Sequence, residues 1–235
     1  MKVSIGFNRH LESNWLAQTA SWVANGIEGK ELKDKIDLLL TPDFTSQVAK
    51  DKTRNLLFGI WSKLPKHIPN DFQRDAADLL MEYSELNLVF HWGMMLSKYP
   101  FFKSVVEQIG RLTKLNDSFL YSQLEQRITE NYGDTSTIKR SMQFVIRTLM
   151  NLELLANPKQ GIYQLRKPIQ VNNPSIKSWL VEASVYSEQV TSRSLTAIND
   201  EHVWFPFELY FDENDLSHND RLEAHHQTAD VIVFV

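Results

Sequence analysis

The sequence predicts a mainly α, multi-helix protein with helix-turn-helix or winged-helix elements and a small C-terminal β-containing extension. Three observations predict it. Through the first 155 positions apolar residues recur at spacings of three and four, turn residues separate these runs, and alternating apolar patterns occur only after Leu155.

Taken in order, helices are expected over 8–25, 28–40, 45–63, 71–83, 85–98, 101–112, 118–131 and 135–155. Gly26 and Gly29 break the first pair, Thr41-Pro42 ends the second helix, and Pro65 with Pro69 closes the third, because proline cannot continue a helix interior. Asn70 with Gln73 has capping-box character, and Asp117 and Asp134 are expected as N-caps for the helices after them. A turn over 157–161 and a short strand over 161–165 follow. Residues 168–174 read as a linker, 175–186 as a short helix, and 203–211 and 230–235 as strands, with Pro206 demoting the former to an edge or bulge. The polar stretch 212–228 lies between those strands as a loop. Four regions result: an N-terminal helical region at 1–65, a central apolar helical core at 66–116, a basic winged-helix-like module at 117–170 and an acidic extension at 171–235.

With 43% hydrophobic and 23% charged residues among 235, the chain can bury a sizeable core. Its longest apolar stretch, 86–96, is broken by Asn87 and His91 and falls short of the roughly 18 residues a membrane span requires. No membrane partner is expected. The N-terminus carries no continuous apolar leader, and the absence of cysteine excludes disulfides, thiolate zinc sites and a cysteine nucleophile; a reducing cytoplasm fits both. The net charge of −4 divides unevenly. Residues 1–170 hold 22 Lys+Arg against 18 Asp+Glu, a net of +4, while 171–235 hold 3 against 11, a net of −8. A basic body with an acidic tail suggests an anionic partner for the body, and a tail that competes for the same surface.

The basic surplus is concentrated at one place. Wound as a helix, 135–155 puts Ile138, Met142, Val145, Leu149 and Leu152 on one apolar stripe. Ser136, Arg140, Gln143, Arg147 and Asn151 occupy a second face, within an arc of about 80°. Each of these five side chains can hydrogen-bond a phosphate or a base edge, and no acid interrupts them. Lys139 flanks the arc, Lys159 sits in the following turn, and Arg166 and Lys167 follow the strand. The order helix, turn, basic helix, turn, strand is the layout of a winged helix, in which the second helix enters the major groove and the hairpin touches the backbone. An amphipathic bundle helix with a basic solvent face is the alternative. The N-terminal lysines Lys30, Lys33, Lys35, Lys50 and Lys52 with Arg54 sketch a second helix-turn-helix. Glu28, Glu31, Asp34 and Asp37 are spaced to neutralise it within its own helix, which favours a plain surface helix.

Catalytic signatures are absent. Neither a P-loop nor a dinucleotide-binding glycine pattern, GxSxG or HExxH can be written from the sequence, and no cofactor is expected. An ExK element at Glu28 or Glu31 lacks the paired upstream acids of a metal-dependent nuclease. His218, His225 and His226 with Asp215, Asp220 and Glu223 form the sole cluster of metal-ligating types; their spacing matches no metal motif, so a solvated loop is expected. His91, inside an apolar run, is expected as a core histidine.

The stretch 71–155 resembles the BrxA-type small protein of bacterial BREX phage-defence systems. The apolar run 86–102 ends in a Tyr99-Pro100-Phe101 corner, Ser136-Thr137 precedes Lys139-Arg140 and a long amphipathic helix closing on Leu154-Leu155, and a turn and short strand follow in the same order. The resemblance implies a non-enzymatic, mainly helical, DNA-binding protein working beside other defence proteins; a NusB-like RNA-binding fold has been proposed for the family, which keeps RNA open as the partner. The chain departs from the family pattern after about residue 170. Taken together, these readings predict a double-stranded DNA-binding protein using Ser136, Lys139, Arg140, Gln143, Arg147, Asn151, Lys159, Arg166 and Lys167. A protein-interaction subunit is the main alternative.

Overall fold

The opening helices pack by their apolar stripes: α1 (Ser13–Ala24), α2 (Gly29–Leu40) and α3 (Gln47–Trp61) touch one another, and α1 also packs on α4 (Asn70–Glu82). A computed structural model of the protein describes residues 5–227 and 230–235. Next come α5 (Asn87–Lys98) and α6 (Pro100–Thr113), turned at Pro100, which starts α6 where its missing N–H is harmless. In α5 every residue from Val89 to Ser97 is buried, since α3, α4, α6 and a later helix, α9 (Pro174–Ser187), all pack on it.

After α6 the chain forms β1 (Ser118–Leu120), α7 (Tyr121–Tyr132), α8 (Ser136–Asn151) and a hairpin of β2 (Leu155–Lys159) and β3 (Ile162–Leu165). These strands make an antiparallel sheet in the order β1-β3-β2, with Phe119 opposite Tyr163. Pro158 cannot donate to a ladder, and the β2–β3 register shifts between Ala156 and Lys159 around it. Asn157 Nδ2 bonds the carbonyls of Lys159 (3.0 Å) and Ile162 (2.8 Å), holding the bulge.

The last third contributes β4 (Ile169–Gln170), α9, β5 (Ser192–Ser194), α10 (Leu195–Asn199), β6 (Phe207–Glu208), α11 (Glu213–Leu216), β7 (Glu223–Gln227) and β8 (Asp230–Phe234). β4 runs parallel to β6, and β5-β8-β7 form a second antiparallel sheet. α9 lies inside the molecule rather than on an appended tail. Trp179 stacks on Phe72 (4.9 Å, 11°) and donates its indole N–H to the Phe72 carbonyl at 2.9 Å. Gly93 makes this fit, because a Cβ there would stand 2.4 Å from the Trp179 ring.

The polar side chains of α9 find partners far along the chain. Glu182, fully buried, accepts from Arg221 Nε and Nη2 (both 2.8 Å), Asn219 Nδ2 (2.7 Å) and the Tyr186 hydroxyl (2.9 Å). Arg221 Nη2 also reaches Asp75 on α4 at 2.6 Å.

The mainly α class stands, and several expected elements are corrected. Residues 8–11 precede α1 without regular secondary structure, with a bend at Arg9, and 118–120 are strand rather than helix. The helix expected to run to 155 stops at Asn151, and Leu155 already belongs to β2. The turn expected over 157–161 shrinks to Gln160-Gly161, with Gly161 at φ 76°. The 168–174 linker contains β4. The strand expected over 203–211 is instead a 3-10 turn at His202–Trp204 followed by two-residue β6, because Pro206 removes a ladder donor and the His202 carbonyl lies over Gly110 of α6. The 212–228 loop contains α11 and β7; its Thr228 lies outside the described residues.

Capping is displaced by a few residues. Pro69, not Asn70, occupies the N-cap of α4; the Leu120 N–H bonds Gln123 Oε1 (3.0 Å) at the start of α7; and Thr135, not Asp134, caps α8 through Ile138 N–H (3.3 Å). At the N-terminus, neutralisation runs between helices: Asp37 of α2 pairs with Lys50 (3.0 Å) and Arg54 (2.9 Å) of α3. No helix among the described residues is long and apolar enough to cross a membrane.

Candidate functional site

The apolar stripe of α8 seats it: Ile138, Met142, Val145, Leu149 and Leu152 are all buried. Thr135 caps its first turn, and Gly133, at φ 89°, lets the chain reverse from α7 into it. The opposite face therefore looks outward, with Ser136, Arg140, Gln143 and Arg147 exposed in a row. Lys159 on the hairpin, and Arg166 and Lys167 beyond it, are exposed as well. None of Arg140, Arg147, Lys159, Arg166 and Lys167 makes a salt bridge among the described residues; the positive charge is offered to solvent. Gln143 Nε2 donates to the Tyr121 hydroxyl at 3.2 Å, tying α8 to α7.

Besides Gln143, two more of the nine residues expected at a nucleic-acid contact are engaged inside the chain. Lys139 pairs with Asp134 (2.8 Å) and Glu125 (3.1 Å), and those two hydrogen bonds raise its pKa. Asn151 is half-buried and donates to the Leu11 carbonyl and to Glu12 Oε1, each at 2.9 Å. Its role is to fasten the segment before α1. Thr148 Oγ1 accepts the Leu11 N–H at 3.0 Å beside it.

That segment adds residues which local pattern does not mark. Phe7 is buried against Tyr99 and Phe102, Leu11 is buried against α8, and between these anchors Arg9 and His10 lie along the outer side of α8. The Arg9 guanidinium stands 5.5 Å from the Phe144 ring centre and that of Arg140 5.7 Å from the same ring. Burial, then the Arg140 charge, lowers the Arg9 pKa. Burial also holds the His10 imidazolium below its ordinary range, helped by Arg147 and Arg9, and burial raises the Glu12 carboxyl against the pull of Arg147. A groove of about 500 Å³ opens between α8, this segment and the hairpin, faced by His10, Gln143, Phe144, Arg147, Met150 and Tyr163. The adjacent Arg9-His10 pair in the sequence was the available signal, but nothing near it predicts a partner 130 positions away.

Among the described residues, no carboxylate of the acidic C-terminal third pairs with a cation of this face. Three of its carboxylates pair elsewhere: Asp215 with Lys177 (2.9 Å), Glu201 with Lys103 (2.8 Å) and Arg193 (2.9 Å), and Glu182 with Arg221. His218, His225 and His226 are exposed, His226 meets Glu213 at 2.9 Å, and neighbouring positions of a strand send His225 and His226 to opposite faces. Among the described residues no group of three or more His, Asp or Glu could hold a metal ion. His91 is buried with neither ring nitrogen hydrogen-bonded, edge-on to Trp61 at 5.4 Å. Compared with protein-family models, curated proteins and solved structures, the chain matches none.

Proposed function

We propose that the protein is a non-catalytic double-stranded DNA-binding protein of winged-helix type, with α8 entering the major groove and the β2–β3 hairpin against the adjacent backbone. One observation carries this reading: Arg140, Gln143 and Arg147 stand exposed along one side of α8, beside the exposed Lys159, Arg166 and Lys167, with no carboxylate bonded to any of them among the described residues. A surface of unpaired cations around hydrogen-bonding side chains suits phosphates and base edges. The order α6, β1, α7, α8, β2, β3, with β1 beside β3, supports the winged-helix layout. Resemblance to BrxA-type proteins is the support for a role in phage defence, beside other components of such a locus.

The test is fluorescence anisotropy of the protein with labelled duplex DNA, single-stranded DNA and duplex RNA at about 50 and about 200 mM salt. Five or six cationic contacts give a log K against log salt slope near −5. Arg140→Ala with Arg147→Ala is expected to reduce that slope by about 2 and to weaken binding about 100-fold at the lower salt. Unchanged affinity in the folded double variant overturns the assignment of α8. Preference for RNA changes the partner, and no binding to any of the three overturns the nucleic-acid reading in favour of a protein partner.

A further inference from the structure

Arg9 and Arg140 converge on one ring, Phe144, with no salt bridge to either guanidinium among the described residues. The Arg9 Nε is also buried without a hydrogen-bond partner. Two cations brought together, one partly desolvated, raise the free energy of the empty site and lower that of a site holding an anion. Glu12, the carboxylate of the same segment, is already bonded to Asn151.

The adjoining groove has a different chemistry on its walls. Phe144, Met150 and Tyr163 supply apolar and aromatic surface, while His10, Gln143 and Arg147 supply hydrogen-bonding groups at its edge. Its volume, about 500 Å³, lies within the range of sites that enclose a small molecule. A cationic lip, Arg9 and Arg140, beside an aromatic wall calls for a ligand with a negative group attached to a flat, hydrogen-bonding ring system. A nucleotide has that constitution, since any base can pack on an aromatic ring and its phosphate meets arginine.

We propose that this groove binds a single nucleotide, its phosphate at Arg9 and Arg140 and its base packed against Phe144 and Tyr163. The nucleotide is either free in solution or part of a strand, such as an unpaired end. The site shares Arg140 and Arg147 with the duplex surface but stands on Arg9, Phe144 and Tyr163, so the two readings fail separately.

Isothermal titration of the full chain with the four nucleoside 5′-monophosphates tests it, with adenosine and inorganic phosphate as controls. At least one nucleotide is expected to bind about ten-fold or more tightly than either control, because neither control makes both sets of contacts. Arg9→Ala, outside any helix or strand and without a salt bridge among the described residues, is expected to weaken that nucleotide about ten-fold while circular dichroism stays unchanged. Tyr163→Leu is expected to remove the preference for nucleotide over phosphate, with an unchanged circular dichroism spectrum as its folded check. Displacement of a labelled single-stranded hexanucleotide by the mononucleotide assigns the groove to strand nucleotides, and binding without displacement assigns it to free ones. Nucleotides binding no tighter than phosphate, or an Arg9→Ala variant that binds as well as the parent, overturn the proposal. Duplex binding with no nucleotide binding overturns it and leaves the α8 reading standing; nucleotide binding with no duplex binding does the reverse.

Discussion

His91 sits in the middle of α5 with both ring nitrogens buried and unbonded, and burial pushes its pKa down from 6.5 to about 3. In that window the unfolded chain binds a proton that the folded chain does not, so stability falls as pH drops from about 6.5 towards 3. Replacing the ring by an apolar side chain of similar size removes two unsatisfied polar atoms. His91→Leu is expected to raise stability by about 1 kcal/mol at neutral pH and to flatten the acid limb of the denaturation curve. Urea midpoints at several pH values check both; an acid limb as steep as that of the parent would show that other groups govern it.

At the scale of elements, the segment Ile5–Glu12 is held by a short set of bonds, and these can be cut singly. Asn151→Ala removes the two bonds to Leu11 and Glu12 while Thr148 keeps its own. The expected result is a loss of about 1 kcal/mol in global stability and much faster amide exchange across residues 5–12, with α8 itself still protected. If exchange there is unaltered, Asn151 does not fasten the segment.

The same residues indicate what could be read from the sequence. The two faces of α8 were legible because a 3.6-residue period separates Ile138, Met142, Val145 and Leu149 from Arg140, Gln143 and Arg147. That Lys139 and Asn151 would be consumed internally was not legible, since their partners Glu125, Asp134, Leu11 and Glu12 are set by the tertiary fold. β1 escaped for a different reason: three residues are too few to show alternation, and their pairing with β3 lies some 45 positions away. α9 shows no apolar stripe because it is buried on all sides, and its Ser178, Glu182 and Ser184 look like solvent positions until their bonding partners are known.

Over the whole molecule, Arg221 ties α4 to α9 by bonding Asp75 and the buried Glu182. Glu182 has charge partners that give it a place in the core, and without them it is an uncompensated buried carboxylate. Arg221→Ala is expected to cost about 3–5 kcal/mol in chemical denaturation, well above the effect of removing a surface pair such as Arg74 with Asp71. A loss below about 1 kcal/mol would mean that Tyr186 and Asn219 suffice to hold Glu182. Charge pairing follows the fold as well: Asp215 and Glu182 bond cations of the last third, Glu201 joins Arg193 to Lys103 of α6, and Arg140, Arg147, Lys159, Arg166 and Lys167 make no salt bridge among the described residues.

The position of α9 also bears on how the chain matures on the ribosome. Trp179 fills the space over Phe72 and Gly93, yet α9 ends 89 residues after α5 does, at Ser187 against Lys98. At 5–20 residues per second that interval is about 4–18 s, during which the nascent α4–α5 surface lacks its permanent cover. Its apolar side chains then depend on a transient binder or on temporary pairing among the early helices, and a chain stopped before Pro174 would keep them uncovered.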